Sequence, residues 1–217
     1  MTPSFALYVV TDEVVSGNRS HLECARAAVA GGADAIQLRE KAKPPWEILA
    51  IARAIRAATA ETGAIFIVND RLDIALAAEA DGVHLGQDDL PVAAARRIAP
   101  SPFLIGTSVG SAEEALRAER DGADYVAVSP VFATGSKADA GAGHGLEVVT
   151  AVRQVVRIPV IGIGGIGPAN AADVIRAGAD GCAVISAVLA QPDVAEAARS
   201  LRSVIVRALT DRRSESA

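Results

Sequence analysis

Ala177-Gly178-Ala179-Asp180-Gly181-Cys182-Ala183-Val184-Ile185 holds the unit from which the rest of this chain can be parsed. A glycine able to take the left-handed backbone ends a helix, an aspartate follows, and a short apolar run begins. The same punctuation returns at Gly31-Gly32-Ala33-Asp34, Ala80-Asp81-Gly82 and Asp121-Gly122-Ala123-Asp124. Each copy marks a helix-to-strand turn, so the four together set the register of an alternating β/α chain. Working outward from them, strands are expected over 6–10, 35–38, 64–68, 82–85, 103–108, 125–128, 160–163 and 182–185. Most are continuous apolar runs, as in parallel strands covered by helices. Helices are expected near 21–30, 46–62, 71–79, 91–98, 111–120, 145–156, 168–177 and 193–209. Within 46–62, Trp46, Leu49, Ala50 and Arg53 have the 3/4 spacing of a helix face.

Eight strand–helix units are the count of a TIM (β/α)8 barrel, and 217 residues suit one such domain. A doubly wound sheet would not need eight units, and no G-x-G-x-x-G follows the first strand. The barrel is therefore expected over 1–209, with a polar, frayed tail over 210–217.

The net charge of −5 argues against a nucleic-acid partner, which would bring a basic stripe. The longest uncharged stretches, 98–112 and 158–172, are 15 residues each. That is short of the roughly 20 needed to span a bilayer. No basic leader precedes the first strand, and Cys24 and Cys182 read as buried free thiols, so a cytoplasmic, reducing setting is expected. Only three of the 21 basic residues are lysines: Lys41, Lys43 and Lys137.

In a barrel, the polar residues that follow each strand carry the chemistry. After strand two, Gln37, Arg39 and Lys41 share one side of the extended chain and suit a phosphate or diphosphate. Lys43 reads as a solvated bystander. Asn69-Asp70-Arg71 and Gly86-Gln87-Asp88-Asp89 follow strands three and four. A carboxylate from each, Asp70 and Asp89, could hold Mg²⁺; both could equally cap the helices that follow. Ser108 after strand five is either a phosphate ligand or a cap, and Ser111 is the better cap. The long loop after strand six, with Thr134, Gly135, Ser136 and Lys137, reads as a lid whose lysine contacts phosphate. Gly164-Gly165 after strand seven and Ile185-Ser186 after strand eight lie where this fold recurrently binds phosphate. His84 reads as a buried, hydrogen-bonded histidine, while His21 and His144 read as surface or loop residues. No triad or cysteine nucleophile can be assembled.

These residues carry a family resemblance. Gln37-Leu38-Arg39-Glu40-Lys41, Asn69-Asp70-Arg71, His84-Leu85-Gly86-Gln87-Asp88-Asp89, Thr134-Gly135-Ser136-Lys137 and Gly162-Ile163-Gly164-Gly165-Ile166 run in order between about Tyr8 and Ser186. In these motifs the chain resembles the thiamine-phosphate synthases. The resemblance implies a Mg²⁺-dependent transferase on a TIM barrel, joining 4-amino-2-methyl-5-hydroxymethylpyrimidine diphosphate to a thiazole phosphate. Thiamine monophosphate and diphosphate would be the products. It implies that Gln37, Arg39, Glu40, Lys41, Asn69, Ser108 and Lys137 bind the pyrimidine diphosphate, with Arg39, Lys41 and Lys137 acting on the leaving group. Asp70 and Asp89 would hold Mg²⁺. Thr134, Gly135, Ser136, Gly165, Ile185 and Ser186 would bind the thiazole phosphate. The family's reaction is dissociative, needing charge stabilisation and no protein nucleophile. Two positions depart from the pattern: Gly110, where a histidine is usual, and Gly135, where a bulkier residue is common. The partners implied are small molecules, with an oligomer left open. Two other readings remain at this point: a thiazole tautomerase-type isomerase, which would need no metal, and a non-catalytic phosphate-ligand binder.

Overall fold

The computed structural model describes residues 4–135 and 143–215. Ser136 and Lys137, with most of the expected lid, lie outside the described residues. The chain alternates β1 (Leu7–Thr11), α1 (His21–Ala30), β2 (Ala35–Leu38), α2 (Pro45–Ala60), β3 (Ile65–Asn69), α3 (Leu72–Ala77), β4 (Gly82–Leu85) and α4 (Val92–Ile98). It continues through β5 (Leu104–Val109), α5 (Ala112–Arg120), β6 (Tyr125–Val128), α6 (Leu146–Val155), β7 (Val160–Ile163), α7 (Ala171–Arg176), β8 (Gly181–Val184), α8 (Ser186–Leu189) and α9 (Val194–Glu215). The strands are all parallel and close into a barrel in sequence order, β8 pairing back onto β1 through Leu7 and Cys182. The TIM barrel read from the turns is the fold.

The four repeated turns have a common job. Asp34, Asp81, Asp124 and Asp180 each stand just before an even-numbered strand. The backbone N–H of each donates to the carbonyl of Leu7, Phe66, Ile105 or Val160 on the preceding odd strand. Each carboxylate accepts the N–H of that same residue, at 2.9, 2.8, 2.7 and 2.9 Å. An arginine from a neighbouring helix then closes every clasp: Arg202 on Asp34, Arg56 on Asp81, Arg96 on Asp124 and Arg153 on Asp180. A guanidinium fork can bridge a carboxylate and nearby carbonyls where an ammonium cannot. Arg96 does so, bonding the Gly122, Ala99 and Phe103 carbonyls besides Asp124. The arginine bias of the composition thus has a structural use. The turn needs a positive φ two residues before the aspartate. Gly32, Gly122 and Gly178 supply it at 91°, 99° and 117°; in the second copy Glu79 adopts 54° instead.

Strand boundaries differ from the expectation by one residue or none. Two expectations are corrected. The buried face of α2 is Ile48, Ala52, Ile55 and Thr59, and Trp46 is 72% exposed. Several stripes of this alanine-rich helix satisfy the 3/4 spacing, and packing on the barrel selects one. The expected tail is helical: α9 runs through Glu215, and Arg212 donates to the Ile175 and Ala179 carbonyls, both at 2.8 Å, and to Asp180. The one-turn α8 after β8 was not anticipated, being too short for any periodicity. Among the described residues, no helix is long and apolar enough to cross a membrane. Cys24 and Cys182 are buried and unpaired with each other.

Candidate active site

A cavity of about 400 Å³ opens at the carboxyl ends of the strands. One wall is basic. Arg39 and Lys41, at the end of β2, both line it, and their alternation along extended chain turns both inward. Arg39 Nη1 donates to Asp12 Oδ2 at 3.2 Å, and Lys41 Nζ lies 3.6 Å from Asp70 Oδ2. Asp12, the partner that orients Arg39, was missed in the sequence because it stands in a distant loop. Gln37 shares their side, as expected, but lies a step lower and does not line the cavity; its amide Nε2 donates to Tyr8 Oη at 2.7 Å inside the barrel.

Glu40 points the other way and is corrected as a cavity residue. Its carboxylate takes hydrogen bonds from Lys43 Nζ at 2.7 Å and the Ala42 N–H at 2.6 Å, and meets His21 Nε2 at 3.2 Å. Burial opposes its charge, but these partners outweigh it and hold the carboxyl at about 2. Lys43 is therefore no solvated bystander: it bridges Glu40 and Glu13. His21 is no surface residue either, at 2% exposure, with Nδ1 2.7 Å from Thr11 Oγ1. Glu13, His21 and Glu40 bring potential metal-ligand atoms within 4.8 Å of one another, with the Lys43 ammonium already on both carboxylates.

The next wall is acidic. Asn69, Asp70, Asp88 and Asp89 line the cavity from the ends of β3 and β4. The Asp70 N–H donates to the His84 carbonyl at 2.8 Å, which holds the aspartate at φ 63°. Asp89 Oδ2 accepts the Gly86 N–H at 2.6 Å, and a Cβ at Gly86 would lie 2.9 Å from that same oxygen. Neither aspartate caps a helix: the cap positions of α3 and α4 are Arg71 and Pro91, with no side-chain cap bond at either. Instead the two carboxylates face each other. Burial first, and then contact with Asp89, raises the Asp70 carboxyl to about 6, with Lys41 acting in the opposite direction. Two carboxylates pressed together beside a cation form a donor set for a hard divalent ion.

His84 and Ser108 line the cavity side by side, with His84 Nε2 3.0 Å from Ser108 Oγ. His84 is 7% exposed, so it is both buried and part of the cavity. The alternative role for Ser108 falls away, because Ser111 caps α5 by accepting the Glu114 N–H. Beside it, the His144 imidazole fills the space over Gly110, its Nε2 2.9 Å from where a Cβ would stand.

The far wall comes from β6, β7 and β8. Thr134, Gly164, Gly165, Ile185 and Ser186 all line the cavity, with Ile163, Ala183 and Val184 as an apolar backing that reads in sequence only as strand core. Gly164 and Gly165 have φ of 101° and 62°, and a Cβ on either would collide with Pro130 or with Ala133 O. Gly135 does not line the cavity. The described ends of the sixth loop are pinned: the Val131 and Phe132 N–H groups donate to Ile163 and Gly164, and the His144 and Gly145 N–H groups to Pro130 and Val131.

Comparisons with known proteins converge on one family. The family model described as thiamine monophosphate synthase matches residues 7–188. The chain is 59% identical to a thiamine-phosphate synthase of Methanoculleus marisnigri, over 96% of this chain and 99% of that one. It is 57% identical to one from Moorella thermoacetica, over 95% and 98%. Among solved structures it is similar to the thiamine phosphate pyrophosphorylase of Pyrococcus furiosus, with a TM-score of 0.89 and 44% identity, covering 96% of this chain and 98% of that one.

Proposed function

The chain belongs to the thiamine-phosphate synthase family of transferases, and from that premise we propose that its cavity binds a hydroxymethylpyrimidine diphosphate against the Arg39/Lys41 wall and a thiazole phosphate against the opposite rim. The observation that carries the reading is the Asp70–Asp89 contact, set beside Lys41 in one cavity with a glycine-rich rim. A phosphate-only binder has no use for two carboxylates at an anion's door.

Asp70 and Asp89 would hold Mg²⁺, which when bound supplies positive charge to a departing diphosphate. Arg39, oriented by Asp12, presents a fixed fork to phosphate oxygens. Lys41 is half exposed and reaches toward the same place as a point charge. Asn69 and Ser108 line the space between the charged walls and offer neutral hydrogen bonds. Lys137 is proposed to approach the diphosphate from the sixth loop, with Thr134, Gly135 and Ser136 near the thiazole phosphate. Gly165, Ile185 and Ser186 complete that phosphate's rim, at the loops where this fold recurrently binds one. In a dissociative reaction the thiazole nitrogen captures the pyrimidinylmethyl cation left when the diphosphate departs. The residues' work is then to gather both substrates and neutralise the leaving group. The test is to incubate the protein with both substrates, with and without Mg²⁺, and measure thiamine monophosphate. Mg²⁺-dependent product is expected; no product under either condition overturns the reading.

A further inference from the structure

The barrel core holds an unbroken chain of polar side chains from β2 to the cavity. Gln37 Nε2 donates to Tyr8 Oη at 2.7 Å, Tyr8 Oη meets Tyr125 Oη at 3.1 Å, and Tyr125 Oη meets His84 Nδ1 at 3.1 Å. His84 Nε2 then meets Ser108 Oγ at 3.0 Å. Both tyrosines are fully buried, and burial pushes both phenols well above their ordinary range, so both remain protonated donors. The packing is specific. A Cβ at Gly106 would fall 1.9 Å from Tyr125 Cζ, so this glycine is the slot that admits the phenol. Phe5 packs on the same ring at 4.7 Å and His84 stacks on it at 5.6 Å.

Each phenol has one hydrogen to give, which makes the chain directional. With the Gln37 amide donating to Tyr8, the polarity that gives each phenol hydrogen an acceptor along the chain sends the Tyr8 hydrogen to Tyr125. The Tyr125 hydrogen goes to His84 Nδ1, which must then accept. That polarity puts the His84 ring proton on Nε2, where it would be donated to Ser108 Oγ. The Ser108 hydrogen is left to point into the cavity that this residue lines. The opposite polarity would need an acceptor on Gln37 facing Tyr8, and the amide nitrogen is there.

We propose that Gln37, Tyr8 and Tyr125 are positioning residues whose directional hydrogen bonds fix His84 as the Nε2–H tautomer and so make Ser108 a hydrogen-bond donor to the ligand. The acceptor is a diphosphate oxygen or ring nitrogen of the pyrimidine substrate, and that assignment alone rests on the function proposed above. Gln37 thereby serves the site from the core without touching the cavity.

The test uses the full chain without ligand, labelled with ¹⁵N-histidine, at pH 8. Long-range ¹H–¹⁵N correlations distinguish the two neutral tautomers, and loss of signals in His84→Gln assigns His84 among the three histidines. The expected result is the Nε2–H tautomer; the Nδ1–H tautomer, a mixture or the imidazolium overturns the proposal. Tyr125→Phe is expected to release the tautomer and to raise KM for the pyrimidine diphosphate by about tenfold, the loss of one hydrogen bond. KM for the thiazole phosphate should stay unchanged. An unaltered His84 spectrum in that variant removes Tyr125 from the chain. The spectra need no turnover, so an inactive protein with the Nε2–H tautomer refutes only the function, and an active one with the other tautomer refutes only the chain.

Discussion

Replacing Asp70 by Asn should stabilise the ligand-free protein while removing its response to Mg²⁺. The Asp70 carboxyl stands at about 6 in the folded chain against an ordinary 3.8. The folded state therefore holds its proton more tightly than the unfolded state does. Stability is lost as pH rises from about 4 through 6, and the penalty is fully present above about 7. A shift of about two units corresponds to roughly 3 kcal/mol. That value already includes the opposing Lys41 ammonium, and because Asp70 is a quarter exposed, solvent screening reduces the figure to about 1–2 kcal/mol. Asparagine keeps the shape, tolerates φ 63° at least as well, and cannot ionise. Urea unfolding at pH 4.5 and pH 7.5, with and without Mg²⁺, measures the effect. Asp70→Asn should gain about 1–2 kcal/mol at pH 7.5 and about a third of that at pH 4.5. Mg²⁺ should stabilise the natural protein and leave the variant unmoved. A gain of equal size at both pH values would trace to the backbone and refute carboxylate repulsion as its source. A variant that still responds to Mg²⁺ would refute Asp70 as a ligand.

Three further outcomes are expected. Asp124→Ala removes the clasp on Ile105 and Arg96 and should cost about 2–3 kcal/mol in urea unfolding, with the substrate KM values unchanged in the folded fraction. Lys137→Ala should lower kcat at least tenfold with an unaltered melting temperature, the loss of one charge from the leaving group. Lys43→Met should do the reverse, lowering the melting temperature by several degrees, because it strips Glu13 and Glu40 of their shared cation. Kinetics beside thermal melts separate the two lysines, and equal effects on turnover would undo the distinction.

Gly110 and His144 form a pairing that no local pattern in the sequence announces. A side chain at 110 would meet the His144 imidazole, so the two positions share one space. No local rule connects a residue after β5 with one that precedes α6, and their pairing exists only once β5 and β6 lie side by side.

Glu40 marks the same limit inside a motif. Alternation along Gln37–Lys41 correctly turns Arg39 and Lys41 to one side, but it cannot say what awaits Glu40 on the other. That depended on Glu13 and Lys43 converging from two loops with His21 at the start of α1. Gln37 lies on the expected side but deeper in the barrel, because period two gives a direction and not a depth.

What the sequence by itself determined is whatever repeats locally. The turn ending in aspartate recurs four times because each copy solves one local problem, ending a helix and aligning a strand. Strand order, the barrel and the placement of polar loops at one mouth follow from that repetition. The Asp70–Asp89 contact, the four arginine clasps and the Gln37–Ser108 chain belong to the tertiary structure. Each joins residues from different units, brought side by side by strand pairing and by the helices packing on the barrel.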